Sequence, residues 1–329
     1  MVYKLEHTMR QPKLFNVRGK YQQQSQYIAI QYNDFDSLIL GSSMSTNFLC
    51  TEFDSIFGAN SLKLAQAGGS LPTAMKLAAY TMGRKPLKYV LVDLSAPHFQ
   101  PENYKFDDDV SKGKYLERLD ELISLDSICY ACNFFLNHQN TPISRDDYGA
   151  WTLGGKYASP LIRFASKAQT QRRPNENTYN ITPQNTARAR NVFAKVVFPL
   201  IKRYPDTTFL FFFPPHTFLT FQDLEFVDII EYKRMVMKGL NAYPNVRLFD
   251  FQNAREITDN LENFRDYSHY MNPISSWILH QIAADNYWVC PENREEILES
   301  FLHSLQTYDY QADRKFLEDV NRQWQKSID

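Results

Sequence analysis

The chain has 329 residues, of which 43% are hydrophobic and 15% aromatic, and its formal net charge is −1. This apolar content excludes general disorder and allows one large core, and the near-zero charge gives no electrostatic reason to expect a nucleic-acid partner. The 4 cysteines are too few and too scattered for a disulfide framework. Cys129 and Cys132 have the spacing of a redox or metal pair, but they lie in an apolar stretch typical of a helix, and no second pair completes four metal ligands.

Residues 1–33 form a polar, basic extension. Before residue 21, five lysines and arginines face a single acid, Glu6. No apolar run in this stretch approaches the roughly 20 residues that a membrane helix needs. The main domain is therefore expected to begin near residue 34.

From residue 34 the sequence alternates between strand and helix patterns. We predict strands at residues 38–40, 61–67 and 89–94, and helices at residues 47–57 and 71–82. This alternation favours a parallel sheet covered on both faces, in which ligands bind at the carboxyl ends of the strands. Ser43, Gly68 and Ser95 follow three such ends.

Residues 96–190 interrupt the alternation and form a long insertion after strand three. They contain a helix candidate at residues 112–136 and a polar tract that reaches residue 190. An insertion of this length usually lies over the active face of a sheet and shapes the substrate site. Within it, Trp151 could stack on a sugar ring, or it could simply pack the insertion.

The alternation then resumes and ends in a helical tail. We predict helices at residues 192–203, 223–240 and 274–284, and strands at residues 208–213 and 246–250. His216 follows the fourth strand directly, so we expect it at the catalytic edge, where it could contact substrate. The domain covers residues 34–290, and residues 291–329 carry apolar side chains on one helical face, which we expect to pack on the domain rather than on a partner helix.

Two distant stretches carry the candidate chemistry. Gly41 ends the first strand and allows a sharp turn, so Ser43 is expected at the start of a helix, where backbone N–H groups favour negative charge. Serines at such a turn are also ordinary helix caps. Far downstream, Asp266 and His269 lie three residues apart, so one turn can present both side chains. A serine nucleophile needs a base, and the base needs an orienting group, so these residues form a candidate triad; the alternative is a half-buried histidine paired with a surface aspartate.

These stretches resemble the SGNH or GDSL-like hydrolases, in which the nucleophile follows the first strand and the Asp and His share a late D-x-x-H turn. The resemblance covers about residues 30–286 and is nearest to bacterial cell-envelope proteins of this superfamily; distant relatives include the D-alanyl transfer protein of lipoteichoic acid and the alginate acetylation proteins. It rests on the segments at residues 41–48, 63–70, 211–215, 245–251 and 266–270. It implies an α/β fold, a three-layer α/β/α sandwich with a mostly parallel, five-stranded, flavodoxin-like sheet. An α/β-hydrolase is disfavoured because its nucleophile elbow reads G-x-S-x-G and its Asp and His do not share one short turn.

The resemblance also assigns roles, with two departures. Ser43 is the nucleophile, His269 the base and Asp266 its orienter; however, Ser42 replaces the family's Asp before the serine, and the G-x-N-D block is replaced by Val92-Asp-Leu-Ser95. The oxyanion asparagine of that block therefore has no counterpart. The implied oxyanion donors are the backbone N–H groups of Ser43, Gly68 and Gly69, and the candidate substrate contacts are Asn47, Ser70, Ser95, Trp151 and His216.

The implied function is that of a serine esterase or acyltransferase acting on O-acyl groups, such as acetyl, of a cell-surface carbohydrate, with no cofactor and no metal. The implied location is the bacterial cell envelope, outside the cytoplasm, with residues 1–33 following a membrane anchor; a cytoplasmic start is the alternative. The missing asparagine favours a second hypothesis, that of a non-catalytic carbohydrate-binding or assembly protein of the envelope that keeps the fold.

Overall fold

A computed structural model describes residues 26–27, 29–31, 33–95, 144–148, 150, 159–170 and 181–328. Four features named above lie outside these residues: the basic segment up to residue 25, the predicted helix at residues 112–136, the Cys129 and Cys132 pair, and Trp151.

The described residues form one six-stranded sheet in the order β2-β1-β3-β4-β5-β6. Strands β1 to β5 are parallel, and β6 runs antiparallel to β5. The predicted α/β/α sandwich is confirmed, and the predicted strand count of five is corrected to six. The bounds are β1 Ser37–Leu40, β2 Ser61–Lys63, β3 Tyr89–Asp93, β4 Thr208–Phe213, β5 Val246–Asp250 and β6 Trp288–Val289. Strand β6 escaped prediction because two residues carry no readable periodicity.

Helices flank this sheet, and their bounds correct several sequence predictions. The helix at Leu71–Met82 has the predicted bounds, since Ser70 caps its first turn and Gly83 follows its end. The helix expected from residue 47 begins only at Cys50, and the one expected from residue 192 begins at Pro183, capped by Thr182. The bounds are α1 Cys50–Phe57, α2 Leu71–Met82, α3 Pro160–Thr170, α4 Pro183–Val192, α5 Phe198–Arg203, α6 Phe226–Leu240, α7 Arg255–Thr258, α8 Asn272–Ala283, α9 Arg294–Thr307 and α10 Tyr310–Ile328, with a π-helical turn at Phe193–Val197 between α4 and α5.

The central strands are buried on both faces because their side chains alternate between two cores. Leu38, Val90 and Phe211 face one core, whereas Ile39, Leu91 and their neighbours face the other. This alternation explains why the strands read as continuous apolar runs in the sequence. It also leaves the carboxyl ends of β1, β3 and β4 as the places where polar side chains can gather.

The described parts of the insertion and the tail pack on this domain. Arg145 donates to Asn60 Oδ1 at 2.6 Å and to the carbonyl of Ser61 at 2.7 Å, which fixes residues 144–148 on the β2 edge. Helix α3 packs against α10, and Phe164 of α3 contacts Tyr267 edge to face at 5.2 Å between ring centroids. The C-terminal helices bury Leu298, Phe301, Leu305 and Leu317. Helix α3 of the insertion therefore lies against the segment that carries Asp266, and the tail packs on α3.

Candidate active site

The turn after β1 can only be built with glycine at its first position. Gly41 has φ +126°, and a Cβ at this residue would lie 2.0 Å from Asp93 Oδ2. Residues 43–47 then form turns, and α1 begins only at Cys50. The expected position of Ser43 at a helix start is therefore corrected: the turn itself, and not a helix dipole, presents the hydroxyl.

The buried carboxylate of Asp93 holds this turn in place. Asp93 is 4% exposed and lies at the end of β3, beside β1. Its Oδ2 accepts from the backbone N–H of Ser42 and the hydroxyl of Ser45, both at 2.7 Å. Its Oδ1 accepts from the hydroxyl of Ser42 at 2.8 Å and from the N–H and hydroxyl of Ser95. A carboxylate from the neighbouring strand thus organises the segment in which Ser42 replaces the aspartate expected there.

The D-x-x-H turn is organised by its own aspartate. Asp266 Oδ1 accepts from the backbone N–H groups of Ser268 at 3.2 Å and His269 at 2.9 Å, and also from His269 Nδ1 at 2.8 Å. The chain closes this turn with an antiparallel bridge between Phe264 and Tyr270. The two side chains therefore meet because of local hydrogen bonding, as the three-residue spacing predicts.

The two distant stretches meet at His269. Its Nε2 lies 2.8 Å from the Oγ of Ser43, across 226 residues of sequence. A carboxylate only accepts hydrogen bonds, so the partner of Asp266 must be a protonated Nδ1; in the neutral ring the lone pair on Nε2 then accepts from the Ser43 hydroxyl. The chain Ser43, His269, Asp266 thus has the distances and the tautomer in which a serine proton can pass to the imidazole.

Asp266 is held in its ionised form. Burial by itself would raise its pKa, but hydrogen bonds from the ring and backbone of His269 and the positive charge of Lys167 bring the pKa well below the ordinary value. Lys167 Nζ lies 3.4 Å from Asp266 Oδ2, and Arg265 Nε lies 3.6 Å from the same oxygen. Burial and the nearby Arg163 guanidinium lower the pKa of Arg265 to about 10. The orienting carboxylate is thus bound by imidazole on one oxygen and faces cations on the other.

His216 lies behind the D-x-x-H turn and not at its surface. It is 1% exposed, and its Nδ1 donates to the carbonyl oxygen of Ser268 at 3.1 Å. Burial lowers its pKa to about 3, so the ring is neutral. The neighbouring Thr217 and Thr220 donate to the carbonyl of Tyr267. The prediction that His216 contacts substrate is therefore corrected: the ring is buried and hydrogen-bonds the D-x-x-H turn on its inner side.

A shallow depression, partly open to solvent, surrounds the reactive atoms and is lined by Ser43, Met44, Asn47, His269 and Tyr270. The His269 side chain is 28% exposed there. Asn47 Nδ2 donates to Asn272 Oδ1 at 2.7 Å, and the hydroxyl of Tyr270 donates to the carbonyl of Met44. Both contacts join the turn after β1 to the D-x-x-H segment, and Asn47 lies beside Ser43 and His269, where its predicted role as a substrate contact stays a prediction.

The other predicted residues have varied surroundings. The N–H of Gly69 donates to the carbonyl of Gln66 at 2.7 Å, so this donor is committed within its own loop, whereas Gly68 is exposed with φ +71°. Ser70 caps α2, and its hydroxyl contacts Thr73. Ser95 lies within the network of Asp93. Of the predicted oxyanion donors, Gly69 is thus the one whose N–H is bound within its own loop.

Sequence reasoning missed Asp93, Lys167, Tyr270 and Asn272. An acid inside the apolar strand β3 was the available signal for Asp93, because a buried carboxylate needs several donors.

Among the residues that the structure describes, no three His, Cys, Asp or Glu side chains are grouped so as to bind a metal ion. Within the same residues, no helix combines the length and the apolar character needed to cross a bilayer.

Neither a protein-family model nor a curated protein sequence matches this chain.

Proposed function

We propose that this protein is a serine ester hydrolase or O-acyltransferase of the SGNH type. One observation carries the proposal: Ser43 Oγ, His269 and Asp266 form an unbroken chain of two 2.8 Å hydrogen bonds. A serine hydroxyl is a weak nucleophile unless a positioned base removes its proton, and the base needs a fixed tautomer. Here the hydrogen bond from His269 Nδ1 to Asp266 Oδ1 fixes that tautomer.

The reaction follows from these positions. Ser43 Oγ attacks the ester carbonyl carbon while its proton passes to His269 Nε2, and the C=O electron pair becomes the oxyanion of a tetrahedral intermediate. Collapse of this intermediate breaks the bond to the alcohol oxygen, which takes the proton from His269 and leaves an acyl-Ser43 ester. Water, or a hydroxyl group of an acceptor, then loses a proton to His269 and attacks this ester, and the released Ser43 recovers its proton.

The backbone N–H groups of Ser43 and Gly68 are the proposed oxyanion donors. Removing one donor of an oxyanion hole typically lowers kcat by 10²- to 10³-fold. The commitment of the Gly69 N–H to Gln66 at 2.7 Å therefore predicts a modest turnover number.

The proposed substrate is an O-acylated carbohydrate of the bacterial cell envelope. The resemblance of the segments around Gly41 and Asp266 to envelope members of the SGNH superfamily supports this substrate class and location. The depression at Ser43 is shallow and partly open to solvent, which favours an acyl group carried on the surface of a larger molecule over a small ligand that would be fully enclosed.

A serine-directed phosphonate tests the proposal, because it is attacked by an activated serine and loses its leaving group to form a stable Ser43 adduct. We expect the wild-type protein to be labelled at Ser43 and to release acetate from p-nitrophenyl acetate and from acetylated sugars. Ser43→Ala should abolish both, whereas Ser55→Ala, a matched change of an exposed serine on α1, should alter neither. Acetate transfer to an added sugar acceptor distinguishes a transferase from a hydrolase.

The second candidate is a non-catalytic carbohydrate-binding or assembly protein. The specific observation in its favour is the bound N–H of Gly69, together with the absence of a counterpart of the family's oxyanion asparagine in the sequence. In that case the wild-type protein stays unlabelled, equals Ser43→Ala in acetate release, and still binds an acetylated glycan.

A further inference from the structure

The two oxygens of Asp266 have different partners. Oδ1 accepts the ring N–H of His269 and two backbone N–H groups of its own turn. Oδ2 lies 3.4 Å from Lys167 Nζ and 3.6 Å from Arg265 Nε. The turn itself therefore fixes one oxygen, while a lysine that precedes Asp266 by 99 residues contacts the other.

Lys167 is placed by a packed helix and not by a loop. It lies on α3, in the insertion, three residues after Phe164, so both side chains lie on the same face of the helix. Phe164 is 0% exposed and contacts the ring of Tyr267, the residue that follows Asp266. Helix α3 also packs against α10. The contact between Phe164 and Tyr267 thus holds α3 at the distance from which the Lys167 ammonium group reaches Asp266.

Among the described residues, Lys167 of α3 and Arg265 of the turn itself are the cations that face this carboxylate. Arg163 of α3 lies near Arg265, and the segment after β4 contributes the buried, neutral His216. Cations near Asp266 keep it ionised, and they also oppose the second positive charge that would appear if His269 were protonated in the resting protein.

We propose that Lys167 is a positioning residue of the triad: its ammonium holds Asp266 Oδ2 so that Oδ1 stays aligned on His269 Nδ1, and its charge keeps His269 available as a base at lower pH. The inference deepens the proposed function and rests on it. It also gives the insertion a role in the reaction, because α3 carries the group that completes the surroundings of the triad carboxylate.

The test compares Lys167→Met with Lys167→Arg by the rate of phosphonate labelling of Ser43 between about pH 5 and pH 9. Without the positive charge of Lys167, His269 takes a proton more readily, so the acid limb of the labelling rate should move to higher pH. The expected displacement is about half a pH unit, because the Lys167 side chain is 32% exposed and its charge is partly screened by solvent. The plateau rate should also fall severalfold. Lys167→Arg keeps the charge and should restore both the limb and the plateau. Lys202→Met, on the exposed side of α5, is the matched control and should behave as wild type.

A second measurement does not depend on catalysis. The pH at which the His269 ring signals change in an NMR titration should rise in Lys167→Met and return in Lys167→Arg. The proposal is overturned if Lys167→Met shows the wild-type titration, or if Lys167→Arg fails to restore it in a folded protein. A wild-type protein that the phosphonate never labels would contradict the proposed function, whereas the titration would still decide the role of Lys167.

Discussion

Replacing Asp93 with asparagine should destabilise the protein through the turn that carries Ser43. The change keeps the shape of the side chain but converts one carboxylate oxygen into an NH₂ group, which only donates. Oδ2 accepts from the N–H of Ser42 and the hydroxyl of Ser45, both at 2.7 Å, and Oδ1 accepts from Ser42 and Ser95. Each oxygen therefore has one backbone N–H partner that cannot rotate away.

The size of the effect follows from this count of partners. Whichever oxygen becomes the amide nitrogen, one backbone N–H then faces another donor, at Ser42 or at Ser95, while the serine hydroxyls can turn to accept. Losing one hydrogen bond to a charged acceptor in a buried site costs about 1.5–3 kcal/mol, and the remaining bonds weaken when the acceptor becomes neutral. Since Asp93 is 4% exposed, water cannot readily replace these partners. We expect a loss of about 3 kcal/mol in the free energy of unfolding, or about 5 °C in the melting temperature.

Thermal and urea denaturation of Asp93→Asn measure this loss. The matched control is Asp206→Asn, in an exposed turn before β4, which should change the free energy of unfolding by less than about 0.5 kcal/mol. A cycle with Ser45→Ala should be non-additive, because Ser45 and Asp93 share a hydrogen bond. A cost below about 1 kcal/mol for Asp93→Asn, or strict additivity with Ser45→Ala, would refute the reasoning that Asp93 organises the turn.

Two further predictions concern the groups behind the D-x-x-H turn. The pKa of Asp266 is lowered in the folded protein, so its ionised form stabilises the fold fully above the unfolded pKa of about 4, and this contribution is lost as the pH falls below that value. The difference in free energy of unfolding in urea between wild type and Asp266→Asn should therefore be larger at about pH 6 than at about pH 3. A difference that grows on acidification would contradict this assignment. His216→Phe keeps an aromatic ring but removes the N–H group that donates to the Ser268 carbonyl. It should lower the free energy of unfolding by about 1–3 kcal/mol, measured by thermal denaturation, and slow Ser43 labelling without moving the pH profile of labelling. An unchanged melting temperature, or a shifted acid limb, would argue against a purely structural contact.

The sequence alone determined the features that depend on near neighbours. A continuous apolar run predicted β4, because a strand buried on both faces has no polar alternation, and the bounds predicted for β4 and β5 are the observed ones. The helix pattern at residues 71–82 predicted α2 with its observed bounds. The spacing of Asp266 and His269 predicted their contact, since one turn brings the two together through backbone hydrogen bonds to the same oxygen.

Only the tertiary structure decided which distant groups meet. Strand β1 pairs with β3, with Leu40 opposite Val92, and this register places Asp93 against the turn after Gly41. The docking of α3 brings Lys167 to Asp266, and the segment after β4 brings His216 under the Ser268 carbonyl. The physical reason is that propensity and periodicity act over one turn or one strand, whereas these contacts depend on strand order and helix docking across tens to hundreds of residues.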